Sequence, residues 1–502
     1  MTLLIKNVQV LGGDQDFPDK LDVFVSGKKI SAIGRFPNKK ADVTIDGQGA
    51  YLSPGFIDLD TESDHYLSIF TNPSQEDFLK QGVTTILGGL CGASLAPLLY
   101  GSLESMEEWT STNQINVDWH TAKELFNLLE KRPIGVNFAT LTGHTTIRQA
   151  IIGKVPRNLT KNEIAVFLET LKKSIQDGSF GFSTGLGYAA TNDTPYSEIR
   201  NLAEVVASKN GLYATHLRRM GEGMLDSIEE TIKLTKETGV KTIISHFSPI
   251  IGQESKYEEA LKRIEGLPRE VDLSFSLYPF KKRILKLYTF LPEWAQKDDL
   301  RVMNKSINDE WLREKIMKDL PEIKPDDFVV AQATNNDSLV GLSLTEIRKL
   351  YSLKSFKEAL LRLMITTNLQ AIIFYKNINE DLMKKALESP RSLVASNAAS
   401  LNENQKYKAL KPDRATSTFT RFLRFVEEDK LLPINEAIKK ITLIPAQKLG
   451  LKDRGVIRPG FMADLTGFKN GEVNFVIVGG QVAVLDKNYT GLLAGKILRS
   501  TD

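Results

Sequence analysis

The sequence predicts an α/β chain: a closed barrel of parallel strands with a small β-sandwich domain formed from both chain termini. Three observations carry this. Between about residue 52 and residue 450, short apolar runs alternate with amphipathic helical patterns, the rhythm of repeated βα units on a parallel sheet. The first fifty residues instead alternate like hairpin strands, and hairpin character returns after residue 450. Each end alone has too few strands to bury a core, so the two ends are expected to pair. A length of 502 residues leaves room for a barrel with a satellite domain.

In chain order, Leu4–Leu11, Leu21–Val25 and Lys29–Ile33 read as strands, with Ser26-Gly27 as a turn. The barrel candidates are Gly55–Asp58, Val83–Leu87, Ile134–Leu141, Phe180–Thr184, Leu212–His216, Thr242–His246, Asp272–Tyr278 and Leu393–Ser396. Thr160-Lys-Asn-Glu163 is a capping box, followed at helical spacing by Ile164, Phe167, Leu168 and Leu171, with an end near Asp177-Gly178. Glu222–Thr238 repeats the pattern with Leu225, Ile228, Ile232 and Thr235 on one face and Gly239 as its stop. From about 281 to 370 the rhythm lapses into a Lys/Arg/Asp-rich region of helical segments, read as an insertion over one barrel mouth, before the apolar run Ala371–Tyr375. Ala463–Phe468 and Val473–Leu485 read as strands, with Gly479-Gly480 supplying a turn that tolerates positive φ. The expected division is 1–52 and 451–502 for the two parts of the sandwich and 53–450 for the barrel.

Lys+Arg total 65 against Asp+Glu 62, a formal charge of +3, which gives no general argument for nucleic acid or an anionic membrane as a partner. No stretch approaches the ~20 apolar residues of a membrane span. Lys6 interrupts the N-terminus before a signal-peptide apolar region forms, so a cytoplasmic location is expected. The single cysteine, Cys91, cannot form an intrachain disulfide, which leaves packing, reactivity or metal ligation.

Of five histidines, His216 and His246 end predicted barrel strands, where side chains point into the mouth that holds the sites of such folds. Cys91 follows the Val83–Leu87 strand by a short glycine-containing stretch and can reach the same mouth. One thiolate and two imidazoles make a three-ligand zinc set with a fourth position for water; a buried thiol beside hydrogen-bonded histidines is the alternative.

Ser53-Pro-Gly-Phe-Ile-Asp58, Gln81-Gly-Val-Thr-Thr85, Cys91-Gly-Ala-Ser-Leu-Ala-Pro97 and Gly181-Phe-Ser-Thr-Gly-Leu186 resemble marks of the amidohydrolase superfamily, and more narrowly of the N-acyl-D-amino-acid deacylases. Gly143-His-Thr-Thr-Ile-Arg148, Tyr213-Ala-Thr-His-Leu-Arg218, Ile244-Ser-His246, Tyr278-Pro279 and Asp453–Asp464 add to the resemblance, which runs nearly end to end and weakens between about 281 and 390. It implies a distorted (β/α)8 TIM barrel with the terminal β domain. It further implies one zinc ion on Cys91, His216 and His246, activating water to hydrolyse the C–N amide bond of a small N-acyl amino-acid-like substrate.

The departures from the family pattern bear on activity. Where the family's first strand ends in His-x-His for a second metal position, this chain has Asp60-Thr61-Glu62, carboxylates that favour a hard cation such as Mg2+, Mn2+ or Ca2+ or that only hydrogen-bond. His65, close behind, is read as a surface or loop residue. The last strand normally ends in a general-base aspartate; here it reads Leu393-Val-Ala-Ser-Asn397, and an asparagine amide cannot take up a proton. Ser248 stands in place of a lysine that relatives use on the substrate carboxylate. Retained substrate contacts are Tyr278 and Arg414, the latter in the loop Lys411-Pro-Asp-Arg414. His144 matches a family motif and is read either as a substrate contact or as a structural hydrogen bond. Two functions follow: a metal-dependent amidohydrolase, or a catalytically inactive homologue that keeps the barrel, with or without one zinc, as a binding protein.

Overall fold

The structure is a computed structural model that describes residues 1–14, 16–107, 109–110, 112–153, 157–188, 191–296, 300–333, 336–402 and 409–501. Positions 297–299 and 334–335 of the expected insertion lie outside the described residues.

Eight parallel strands follow one another around a ring in sequence order. They are Phe56–Asp58, Val83–Gly88, Asn137–Thr140 continued by Thr142–Gly143, Gly181–Gly185, Leu212–His216, Lys241–Ile244, Leu273–Leu277 and Ser392–Val394, called strands one to eight below. Strand three is broken: its first part pairs with strand two and its second with strand four. The ring closes through a parallel bridge between Thr61 and Ala398. There the Asn397 N–H donates to the Asp60 carbonyl at 2.7 Å and the Glu62 N–H to the Ala398 carbonyl at 2.8 Å. The strands are continuous apolar or β-branched runs because both faces are covered; every residue of Val83–Gly88 is buried. The expected strand over Thr242–His246 stops at Ile244, since the chain turns there and His246 takes a φ of +40°.

The helices begin and end where local chemistry dictates. Lys161–Gln176 starts at the capping box, with the Glu163 N–H donating to Thr160 Oγ1 at 3.3 Å and the Thr160 N–H to the Glu163 carboxylate at 2.8 Å. Its Phe167, Leu171 and Ile175 pack with Phe182 of strand four and with Leu202 and Val206 of the next helix. Phe167 is 1 % exposed, so truncating it to alanine costs about 3–5 kcal/mol. Met224–Thr238 stops at Gly239, whose φ of +67° and N–H to the Thr235 carbonyl form the terminating turn, and strand six starts two residues later.

Both chain ends meet in one nine-stranded sheet. Tyr51–Pro54 lies between Thr2–Leu11, which it joins in parallel, and Leu465–Lys469, which it joins antiparallel. Glu472–Val478 and Gln481–Leu485 follow as the hairpin expected around Gly479-Gly480. The sheet folds over on itself: the Ile30 N–H donates to the Phe461 carbonyl, and Leu3, Val23, Val25, Phe475 and Ile477 share one core.

The segment between strands seven and eight corrects the expectation of helices alone. It contains an antiparallel sheet in the order Lys282–Lys286, Ile372–Lys376, Phe328–Gln332, with helices such as Leu300–Asn308 and Phe356–Thr366 around a separate apolar core of Met303, Ile307, Phe328, Leu360 and Met364. In Lys282–Lys286 only Ile284 and Leu285 are apolar, between Lys282-Arg283 and Lys286, so this half-buried strand has little apolar signal in sequence. Among the described residues no helix is long and apolar enough to cross a membrane.

Candidate functional site

Cys91, His216 and His246 meet at the mouth of the barrel. Cys91 Sγ lies 3.6 Å from His246 Nε2 and 4.0 Å from His216 Nδ1, and the two imidazole rings are 4.5 Å apart, centre to centre. Ligand bonds of about 2.3 Å to sulfur and about 2.0–2.1 Å to nitrogen give a tetrahedral S···N edge of about 3.5 Å, so the spacing fits a single ion held by these three donors. All three ligand atoms lie within 4.8 Å of one another.

Local backbone places them. Strand two delivers Cys91 through Gly88 and Gly89, and Cys91 itself has a φ of +51°, an uncommon conformation for a side-chain-bearing residue outside asparagine and aspartate. The Gly89 N–H is held by Asp64 Oδ2 at 2.6 Å, and the Gly92 N–H by Ser183 Oγ at 3.1 Å. A Cβ at Gly187 would come within 2.6 Å of the His216 ring, so only glycine leaves that imidazole its place. Tyr188 then packs on His216 with ring centres 4.8 Å apart.

The electrostatics favour neutral imidazoles and demand a cation for the thiolate. Burial, then Arg283 and Lys286, push His216 down to about 3, and burial followed by His216 and Arg414 holds His246 well below the usual imidazole range. Burial raises the Cys91 thiol well above its ordinary value; Asp60 and Glu62 raise it further, while the Tyr188 hydroxyl lowers it. A metal ion reverses that balance, because a coordinating thiol loses its proton outright.

Opposite the triad stand the carboxylates of strand one. Asp60 Oδ2 accepts from Ser276 Oγ at 3.1 Å, and Asn397 Nδ2 donates to Asp60 Oδ1 at 3.4 Å and to Glu62 Oε1 at 3.3 Å. Burial and then Glu62 push Asp60 up to about 6; burial raises Glu62, with Arg414 opposing. Neither carboxylate belongs to the set of donors within mutual coordination reach. Below them, Asp58 accepts the Ser396 N–H at 3.1 Å, and burial lifts its carboxyl to about 7.

The remaining predicted residues divide. Tyr278, at the end of strand seven, is 3 % exposed and lies under Arg414, whose guanidinium carbon is 4.4 Å from the ring centre. Arg414 is not in a loop: it sits in the first turn of the helix Asp413–Glu427, which starts after Pro412, and it is buried with Nε and Nη1 lacking acceptors. Ser248 is buried and donates to the His246 carbonyl at 3.2 Å. His144 lies apart from the mouth, in the helical layer. Its Nε2 is 2.7 Å from Glu198 Oε1, Arg148 Nε is 3.3 Å from the same oxygen, and Phe167 stacks on its ring, which makes it the structural hydrogen bond. His65 is not at the surface. It is fully buried, stacked on Trp109 at 4.6 Å, with Nε2 3.2 Å from the Ala93 carbonyl.

Sequence reasoning missed Tyr188, Trp109, Arg283 and Lys286. Lys286 lies 4.1 Å over the Trp109 ring and 4.5 Å over the Tyr188 ring, so the insertion's first strand reaches the mouth. The one available signal was Gly187-Tyr188, directly after the Gly181–Leu186 motif.

No family model matches the chain. In sequence it is similar to the D-aminoacylase of Alcaligenes xylosoxydans xylosoxydans, 26% identical over 522 aligned positions that cover 99% of this chain and 98% of the relative. It is also similar to the N-acyl-D-aspartate deacylase of the same organism, 28% identical over 453 positions, 89% of this chain and 81% of the relative. Among solved structures, one of D-aminoacylase matches with a TM-score of 0.81 at 25% identity over 99% of both chains. The fold is also that of the N-acyl-D-glutamate deacylase from Bordetella bronchiseptica, crystallised with zinc and a phosphonate inhibitor, with a TM-score of 0.81 at 23% identity over 99% of both chains. With the ring of eight strands and the motifs that seat Cys91, His216 and His246, these likenesses bear out the resemblance of the chain to the D-aminoacylases and N-acyl-D-amino-acid deacylases of the amidohydrolase superfamily.

Proposed function

We propose that the protein is a metal-dependent amidohydrolase that cleaves the C–N amide bond of an N-acylated amino acid, with one zinc ion on Cys91, His216 and His246. The observation that carries this is the convergence of one sulfur and two neutral imidazole nitrogens, from the ends of strands two, five and six or the turns that follow them, at tetrahedral spacing. Zinc, when bound there, polarises the amide carbonyl and brings the pKa of a water towards neutrality. The catalytic unit on this reading is residues 53–450, flanked by 1–52 and 451–502.

The chain's own residues supply the rest. Arg414, buried over the Tyr278 ring, offers Nε and Nη1 to the substrate carboxylate, and the Tyr278 phenol stands beside it. The proton released on hydrolysis goes to the Asp60–Glu62 pair, in place of the aspartate that Asn397 replaces, and from Asp60 to the leaving amine nitrogen. A carboxyl pushed up to about 6 is suited to both transfers near neutral pH. Asn397 holds the two carboxylates in place through Nδ2 and takes no proton itself. Carboxylates outside coordination reach of the triad favour this proton-handling role over a second metal.

One observation favours the inactive reading: the base position is an asparagine whose amide is committed to Asp60 and Glu62. Elemental analysis of purified protein and a panel of N-acyl-D- and N-acyl-L-amino acids decide between the two. About one zinc per chain with turnover supports the hydrolase, zinc without turnover on any member supports the binding protein, and a metal-free preparation made without chelators excludes the zinc hydrolase.

A further inference from the structure

We infer that Arg283, on the first strand of the insertion, joins Arg414 in gripping the substrate's carboxylate and so supplies from the insertion the cation that Ser248 cannot. This rests on the hydrolase reading for the identity of the ligand. Arg283 and Arg414 line one partly open cleft whose apolar walls are Phe280, Phe374 and Pro412. Asp413 also lines it, but its carboxylate faces Lys282 at 3.6 Å. Arg414 is 3 % exposed, with Nε and Nη1 lacking acceptors. Arg283 is half-buried, and its guanidinium forms no hydrogen bond and no ion pair among the described residues.

Two guanidiniums that share an apolar-walled cleft with no carboxylate in ion-pair contact among the described residues lose hydration and repel each other, a cost that an incoming anion reverses; Asp60 and Glu62 attract Arg414 only from beyond contact. Burial lowers the Arg283 pKa and the Arg414 charge lowers it further. The cleft adjoins the metal triad: Arg414 lies on Tyr278, and both arginines help hold His246 neutral. The other cations do not serve. Lys286 is held over the Trp109 and Tyr188 rings, and the Ser248 hydroxyl donates to the His246 carbonyl. A planar carboxylate matches the fork geometry of two arginines, whereas the lysine that relatives carry two residues beyond the histidine acts as a point charge. The carboxylate is either the α-carboxylate of the amino-acid moiety or one on its side chain.

The test is calorimetric binding of N-methylsulfonyl-alanine, N-methylsulfonyl-glutamate and N-methylsulfonyl-alaninamide, in both hands. These carry or lack the carboxylate and have no amide bond at the acyl position. Arg283→Ala and Arg283→Gln should weaken the alanine ligand about ten-fold or more and leave the alaninamide unchanged, with Arg283→Lys recovering part of the loss. A loss confined to the glutamate ligand supports the same pair of arginines acting on a side-chain carboxylate. Affinities within two-fold of native for every carboxylate ligand, in variants that melt like the native protein, overturn the inference. Hydrolysis of the N-acetyl counterparts separates the two claims. Native-like turnover and KM in the Arg283 variants removes the inference and spares the hydrolase, while Arg283-dependent binding without any turnover does the reverse. A native protein that binds none of the carboxylate ligands overturns both.

Discussion

The two sides of the barrel mouth are built from opposite chemistries. Strands two, five and six bring a thiol and two imidazoles into coordination reach of one point, with a histidine at about 3 that stays uncharged at any physiological pH. Strands one, seven and eight bring two carboxylates, a hydroxyl and an amide, all tied to one another by hydrogen bonds and outside that reach. A soft-donor side selects a zinc-like ion, while a hydrogen-bonded acidic side stores a proton. On the proposed function, the contrast separates ion binding from proton handling, one task to each side of the mouth.

Cutting the soft-donor side should have the largest effect. Cys91→Ala is expected to lower zinc content by at least ten-fold by elemental analysis and turnover by about 10²-fold or more; retained zinc would break the contrast. Next comes the acidic side, where Asp60→Asn or Glu62→Gln should reduce kcat by about 10²- to 10⁴-fold with zinc content unchanged. If zinc falls as well, the carboxylates are ligands and the two sides are one site. Asn397→Asp sharpens the comparison further. It replaces a donor shared by two carboxylates with a third carboxylate, which costs about 1–3 kcal/mol at pH 8 by denaturant unfolding. Asp60, already raised to about 6, rises further in that variant. A folded-state value above the unfolded one favours the folded state at low pH, so the penalty should shrink from pH 8 towards pH 5.

The smallest effect lies on neither side and calibrates the others. The Arg157 side chain and then the Thr160 N–H hold Glu163 down to about 2, so its contribution is present above about pH 4.5 and is lost as pH falls towards 2. Glu163→Gln should therefore lower Tm by a few degrees at pH 7 and by much less at pH 2.5, with zinc and turnover untouched.

What could be read beforehand follows the same division. Cys91, His216 and His246 were legible because a thiol and strand-end histidines are rare and chemically narrow, and the Thr160 capping box gave its helix start by local bonds alone. The partners of Asp60, Glu62 and Asn397 were not, since each carboxylate has several roles and its choice depends on residues distant in sequence. Arg414, read as a substrate contact from the resemblance alone, was placed in a loop because nothing local announces that the first turn after Pro412 is buried over Tyr278. The insertion's sheet was hidden by its cations: Lys282, Arg283 and Lys286 look like surface until the strand is seen to lean over the mouth. His65 misled for the opposite reason, being polar and buried in a turn.

The backbone bonds that close the ring and the side-chain bonds that shape the acidic side share the same two segments, and the side-chain bonds join residues 335 to 338 apart in sequence. A ribosome has therefore released most of the polypeptide before Asp60 meets Asn397. A chain that stops short of strand eight has no Asn397 to partner that carboxylate.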